Sequence, residues 1–270
     1  MPFTLAHPAA VMPLRRLKFL QPQALIIGSM MPDLPYFFPV WFLSRFFQKL
    51  DTHTFVGSFR LDIPLGLIVL CVVLLLRHPF TALLPDRAKW ICLDAAERFT
   101  ARPLNWLLAI PSILIGAWTH ILWDSFTHDG GWVVQRVDAL RAWVTVFGYT
   151  GQVCHILQYI SSVAGLIVLA YWYYLATKEA PHDYGPRALS RPRRLQLLGL
   201  VVLVGAVIGV IQAIHAHDDS RSTIYGWEYL ILTRWVAWCG LLFFIAGTIV
   251  TLADRAHVAR IKSAQEAEHA

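Results

Sequence analysis

Charged side chains are scarce in this 270-residue sequence. Asp, Glu, Lys and Arg make up only 15% of it, against roughly 25% in an ordinary soluble domain. Hydrophobic residues make up 57%, and the mean hydropathy is +0.52. This composition excludes a water-surrounded globular domain as the main body of the chain. Membrane lipids are therefore its expected partners, no nucleic-acid partner is expected, and the oligomeric state stays open.

Paired cysteines and a cleavable leader are also missing. The four cysteines lie far apart, without a Cys-x-x-Cys pair, so neither a disulfide framework nor a thiolate zinc site is indicated. No positively charged segment followed by a small-residue cleavage site opens the chain. We therefore expect the N-terminus to be retained.

Long apolar runs take the place of charge. A spanning helix needs about 20 mostly apolar residues, and residues 104–123, 156–177 and 195–214 meet that length almost without interruption. Residues 235–253 form a fourth uncharged run. A fifth run, 63–76, is short, so we expect it to extend into residues 55–62, with its flanking charges, Asp62 among them, at the membrane interfaces.

The first 62 residues are not predicted to form a simple membrane span. Between residues 19 and 44 the only charge is Asp33, but four prolines interrupt the run, and proline removes a backbone donor from a helix. A broken or re-entrant helical segment fits better. The predicted fold is an all-α polytopic membrane bundle and a single domain, with an N-terminal segment (1–62), about five spanning helices (63–253) and a cytoplasmic tail (254–270).

The basic residues predict which side each loop faces. Lys and Arg mark short cytoplasmic loops; they number five in 77–103, five in 178–194 and three after residue 253, against two in 124–155 and one in 215–228. We therefore expect a bacterial inner-membrane protein whose C-terminus is cytoplasmic and whose 124–155 loop faces outward. Six basic residues in the N-terminal segment argue the other way.

One helical run carries a stripe of metal-binding side chains. His120, Asp124 and His128 are spaced four residues apart, so a helix would project all three from one face. His120 and His128 would lie about 12 Å apart along the axis, too far for a single ion. The spacing suits two ions with Asp124 between them, or one ion with the remaining side chain hydrogen-bonded to one of its ligands. A carboxylate at membrane depth is expensive and favours a functional site.

Several motifs carry a family resemblance. The start MPFTLAHPAAV, the segment GSMMPDLPYF and the segment HILWDSFTH resemble a family of bacterial membrane proteins with no assigned activity. That family looks related to membrane-bound metal-dependent hydrolases. The order of its ligands is also similar to that of zinc-dependent phospholipase C and the P1-type nucleases, which bind a zinc cluster and hydrolyse phosphoesters.

The resemblance implies a ligand set drawn from the first half of the chain. It comprises His7, Asp33, His53, His120, Asp124 and His128, with Asp124 bridging two ions. Taken alone, Asp33 would be a helix cap, and His7 and His53 ordinary loop residues. Those enzymes also use a mature N-terminal Trp and a later His followed one turn on by an acid, whereas here the chain begins Met-Pro and His155 is followed at that spacing by Tyr159. A third zinc is therefore not implied.

These observations predict a membrane-bound hydrolase of phosphoesters in lipids or lipid-linked substrates. Asp33 and Asp124 are its candidate catalytic residues. Zinc is the preferred divalent metal, although His and Asp ligands also accept Mn or Fe. Two rivals remain open: a transporter whose polar residues line an ion path, and a scaffold that holds a structural metal without catalysis.

Overall fold

Five helices are long and apolar enough to cross a membrane, as predicted from the apolar runs. The computed structural model describes residues 4–37, 51–180, 186–216 and 224–268. In that part of the chain the helices are α1 Pro8–Val11, α2 Pro22–Gly28, α3 Phe55–Leu75, α4 Arg77–Thr81, α5 Asp86–Thr100, α6 Leu104–Thr127, α7 Asp138–Arg141, α8 Val153–Lys178, α9 Arg191–Ala216 and α10 Ile224–Glu268. The five candidate spans are α3, α6, α8, α9 and α10.

The N-terminal segment is broken, as its prolines predict. It contains the short helices α1 and α2 and three 3-10 turns, Thr4–Ala6, Met12–Arg16 and Met31–Phe37. Pro22 stands at the start of α2, where its missing N–H costs nothing because that donor has no partner within a helix. Residues 38–50, which belong to the same predicted segment, lie outside the described residues.

One span boundary differs from the sequence prediction, and one matches it. The last helix runs on to Glu268, so the described part of the predicted tail continues α10. Helix α3 begins at Phe55, as the predicted extension of the short run requires, and its Asp62 is fully buried in the protein. Asp62 ends a π-helical turn, Ser58–Asp62, an irregularity that is frequent at functional sites.

The chain divides into two compact units. The first comprises Met1–Pro35, Arg45–Cys71 and Phe99–Leu175, and the second comprises Tyr36–Ser44, Val72–Arg98 and Ala176–Ala270. In the second unit the Arg194 guanidinium donates to both oxygens of Asp86, at 2.9 and 3.1 Å. The predicted ligands belong to the first unit. The single-domain division stays a prediction.

A close crossing of α2 and α6 organises the first unit. A Cβ on Gly116 would lie 2.4 Å from the Leu25 carbonyl oxygen, and a Cβ on Gly28 would lie 2.2 Å from that of Ile113. Any larger side chain would therefore force the two helices apart. Because the backbones meet here, the turn after α2 comes against the end of α6 that carries His120 and Asp124.

A small hairpin lies between helices α7 and α8. Strand β1, Trp143–Val146, pairs antiparallel with β2, Tyr149–Gln152. The two turn residues, Phe147 and Gly148, both have positive φ, as a tight two-residue hairpin turn requires. The hairpin leads directly into α8.

Candidate metal centre

The six predicted ligands come from five places in the first unit. His7 ends the turn before α1, Asp33 lies in the turn Met31–Phe37, and His53 precedes α3. His120 and Asp124 lie on α6, and His128 follows its last residue. The Thr54 side chain caps α3 by accepting from the Gly57 N–H at 3.0 Å, which fixes the chain beside His53.

Four of these residues form a compact cluster. Asp33, His53, His120 and Asp124 each offer one ligand atom, and these atoms all lie within 4.8 Å of one another. His53 Nε2 and His120 Nε2 lie 3.2 and 3.6 Å from Asp33 Oδ1. The same nitrogens lie 3.7 and 3.2 Å from Asp124 Oδ2. Atoms bound to one tetrahedral zinc would lie about 3.4 Å apart, so this cluster could hold a divalent metal.

The other oxygen of Asp124 faces a second pair of histidines. Asp124 Oδ1 lies 3.6 Å from His7 Nε2 and 3.6 Å from His128 Nδ1. The His7 ring stacks on the His120 ring with centroids 3.7 Å apart, which places the two pairs side by side. Among the six residues, Asp124 is thus the carboxylate that contacts both groups, each through a different oxygen.

Three buried atoms in this cluster make no hydrogen bond within the described residues. They are His7 Nε2, His120 Nε2 and Asp124 Oδ1. A buried polar atom without a partner costs about 1–3 kcal/mol. Because all three belong to the same cluster and are metal-ligand atoms, a bound cation is the partner that their chemistry fits.

The surrounding chain orients the ligands. His120 Nδ1 donates to the Ser29 carbonyl at 2.8 Å, which leaves the Nε2 lone pair free for an ion. The Thr4 hydroxyl donates to Asp33 Oδ2, so Asp33 turns its other oxygen to the histidines. The Thr52 hydroxyl donates to the Pro32 carbonyl at 2.8 Å and ties the segment before α3 to the turn that carries Asp33.

The protonation states of His7 and Asp33, which lie outside the candidate spans, also favour metal binding. Burial, and next the nearby His120, lower the pKa of His7 to about 3. Burial acts to raise the pKa of Asp33, but the neighbouring imidazoles, His120 first and then His53, outweigh it and hold that pKa well below its usual range. At neutral pH His7 is therefore neutral and Asp33 is ionised, the states in which both bind metals.

A family model described as a domain of unknown function, DUF4184, matches residues 1–253. The chain belongs to this family. The resemblance drawn from the three sequence motifs, to a family without an assigned activity, is confirmed. No curated protein and no solved structure matches the chain.

The structure brings all six predicted residues together, but the backbone conformation at His128 differs from the prediction. The sequence predicts a helical stripe through residue 128, whereas α6 ends at Thr127 and His128 is extended, with φ −115° and ψ 142°. Beyond the end of the helix Gly131 packs closely against it, since a Cβ there would lie 2.4 Å from the Ser125 carbonyl oxygen. That the six bind metal, and that Asp33 and Asp124 act in catalysis, stays a prediction.

Sequence reasoning missed several residues around the cluster. Thr4 and Ser29 act through a hydroxyl and a backbone carbonyl, for which no motif exists. Asp62 was not among the predicted ligands, and both its carboxylate oxygens are buried without a hydrogen-bond partner among the described residues. It interacts electrostatically with His53 and His120. A sequence signal for Asp62 did exist, because a carboxylate inside an apolar run marks a functional site.

Proposed function

We propose that this protein is a membrane-bound, metal-dependent hydrolase that cleaves phosphoesters of lipids or lipid-linked compounds. One observation carries the proposal: Asp124 turns each of its oxygens to a different pair of histidines. A carboxylate in that position can bridge two divalent ions. Ions held there supply Lewis-acid chemistry, since they activate water and neutralise charge on a transferring phosphoryl group.

The chain's own residues then have distinct parts. Asp33, His53 and His120 would hold one ion together with Asp124, and His7 and His128 would hold the other. Asp33 fits the part of terminal ligand better than that of general base, because one of its oxygens faces His53 and His120 and the other accepts from Thr4. Zinc suits this mixture of neutral imidazoles and carboxylates, and Mn or Fe are also accepted.

An apolar groove beside the cluster supports a lipid substrate. It has a volume of about 570 Å³ and is lined by parts of residues 6–10, 123–127 and 157–168, with His7 in its wall. The size lies within the range of ordinary ligand pockets, about 300–1,000 Å³. Most of the lining belongs to the candidate spans α6 and α8, whose surroundings in a membrane are acyl chains. A lipid could thus place its tail in the groove and its phosphate at the histidines.

The experiment compares substrates with and without an acyl chain. Detergent-purified protein, stripped and reloaded with Zn²⁺ or Mn²⁺, is assayed on a panel of phospholipids, on lipid-linked phosphates and on a water-soluble aryl phosphoester. Ala164→Phe fills the groove; Ala170→Phe is the matched control, since Ala170 is an exposed alanine on the same helix outside the lining. We expect Ala164→Phe to lose lipid turnover and keep that of the soluble ester, and Ala170→Phe to keep both.

The rival functions give different results in the same experiment. An ion transporter would show metal-dependent flux in vesicles and no hydrolysis of any ester. A structural metal site would lose folding with the metal and show neither flux nor hydrolysis. Hydrolysis of the soluble ester but of no lipid would support the hydrolase and contradict the lipid substrate.

We also propose that the cluster faces away from the cytoplasm of a bacterial inner membrane. The support is the Lys and Arg count, thirteen in the predicted cytoplasmic segments against three in the alternate loops. Cysteines introduced by Glu97→Cys and Asp138→Cys into a cysteine-free chain should react with an impermeant thiol reagent from opposite sides. In intact cells with a permeable outer membrane we expect only the cysteine at 138 to react, and the reverse pattern would invert the topology.

A further inference from the structure

A second group of metal-ligand side chains lies where α6 ends and α8 begins. It comprises Asp129, Cys154 and His155, whose ligand atoms all lie within 4.8 Å of one another. None of the three belongs to the six-residue cluster. All three lie in the first unit, and the segment between them contains the β1–β2 hairpin.

The distances in this group match those around one ion. His155 Nε2 lies 3.2 Å from Asp129 Oδ1, and Cys154 Sγ lies 3.6 Å from the same oxygen. Around a tetrahedral zinc, a nitrogen and an oxygen ligand lie about 3.4 Å apart, and a sulfur and an oxygen ligand about 3.6 Å apart. Gln152 Oε1, 3.5 Å from Cys154 Sγ, adds a further oxygen at the border of the group.

Access and burial also suit a metal site. Cys154 is fully buried, whereas the Asp129 side chain is 60% exposed, so an ion can enter from solvent and still reach the sulfur. Thiolate and imidazole together favour zinc among the common divalent ions. Three protein ligands leave a fourth position for water or for Gln152.

We infer that Asp129, Cys154 and His155 form a zinc site separate from the six-residue cluster. An ion there links the end of α6 to the start of α8 and closes the hairpin segment into a loop. It thereby holds Asp129, the neighbour of His128, so occupancy of this site helps to position one ligand of the cluster. The site stands on its own geometry and does not depend on the proposed hydrolysis.

The absorption of bound Co²⁺ distinguishes this site from the six-residue cluster. A thiolate bound to Co²⁺ gives a near-ultraviolet charge-transfer band, and the six-residue cluster contains no cysteine. The full-length protein is purified in detergent, stripped of metal and titrated with Co²⁺, both as wild type and as Asp124→Asn. We expect the thiolate band in both, and we expect an excess of Zn²⁺ to displace it.

The cysteine variants decide the assignment. Cys154→Ser should abolish the band, whereas Cys239→Ser, a matched change at a half-buried cysteine in α10, should keep it. His155→Ala should weaken Co²⁺ binding at least tenfold. Melting temperatures of the metal-free proteins serve as the folding control. Absence of the band in the wild type, or its persistence in a folded Cys154→Ser variant, would overturn the inference.

Discussion

Replacing Asp124 by asparagine is the sharpest perturbation of the six-residue cluster. The side chain keeps its shape but loses its charge, and both oxygens of the carboxylate are engaged. Oδ2 lies 3.2 Å from His120 Nε2, and Oδ1 lies 3.6 Å from His7 Nε2. One substitution therefore removes the anionic ligand from both proposed ions at once.

The size of the effect follows from what is removed. Mutating a residue that only orients a metal ligand costs about 10–100-fold in affinity or activity. Asp124 would be a direct ligand of both ions, so we expect at least about a 100-fold loss of affinity for each ion, or about 2.7 kcal/mol. Turnover of a phosphoester should fall by several orders of magnitude, because water activation and charge neutralisation are lost together.

Folding should survive this change. The introduced carboxamide can still hydrogen-bond inside the bundle, and an unpaired carboxylate in an apolar surrounding is itself costly. We expect the melting temperature of the metal-free protein to stay within a few degrees or to rise, since 1 kcal/mol corresponds to about 2–4 °C in a chain of roughly this size. Asp138→Asn is the control, because that carboxylate is 92% exposed and lies outside the cluster.

The assay measures bound metal by elemental analysis, turnover on lipid and soluble phosphoesters, and thermal unfolding with and without metal. Asp138→Asn should match the wild type in all three. An Asp124→Asn protein that keeps its full metal content and wild-type turnover would refute the bridging role. A protein that fails to fold even without metal would show that Asp124 acts in packing instead.

Three further predictions concern the surroundings of the cluster. Thr4→Val should lower metal affinity about 10–100-fold, as measured by titration, because it frees the Asp33 oxygen that now accepts from Thr4, while folding persists. The metal-free protein should lose stability as pH falls from about 6.5 to 3, because the pKa of His7 is about 3 in the folded chain, so the unfolded chain binds the proton first. Thermal unfolding scans across this pH range measure the effect, and a flat profile would contradict it. Gly116→Val should disrupt the contact with Leu25 and abolish metal binding, whereas Gly199→Val, at a glycine with open space around it, should not.

The sequence predicted best what depends on local periodicity. Apolar runs indicated the five spanning helices, because their length is set by the membrane. The four-residue spacing placed His120 and Asp124 on one helical face for the same local reason. The end of α6 could not be predicted from the spacing, which does not encode the close packing of Gly131 against Ser125.

Long-range contacts explain what the sequence alone could not predict. Nothing in the spacing of His7, Asp33 and His53 brings them to α6. The family resemblance implied it, and the close crossing of α2 and α6 brings the turn that carries Asp33 to that helix. The group around Cys154 was missed because the usual signal is a pair of cysteines, whereas this cysteine joins a histidine beside it and an aspartate 25 residues earlier.

Charge balance gives an independent reason to expect cations in the cluster. Asp33 and Asp124 are buried together, and buried carboxylates without compensation cost several kcal/mol each. A proton on His120 could offset one of the two carboxylates, but burial lowers the pKa of His7 to about 3, so His7 stays neutral at physiological pH. Two divalent cations would more than offset the two carboxylates and leave a net positive charge. That surplus, held beside an apolar groove, is the electrostatic environment that an anionic phosphate attached to an acyl chain requires.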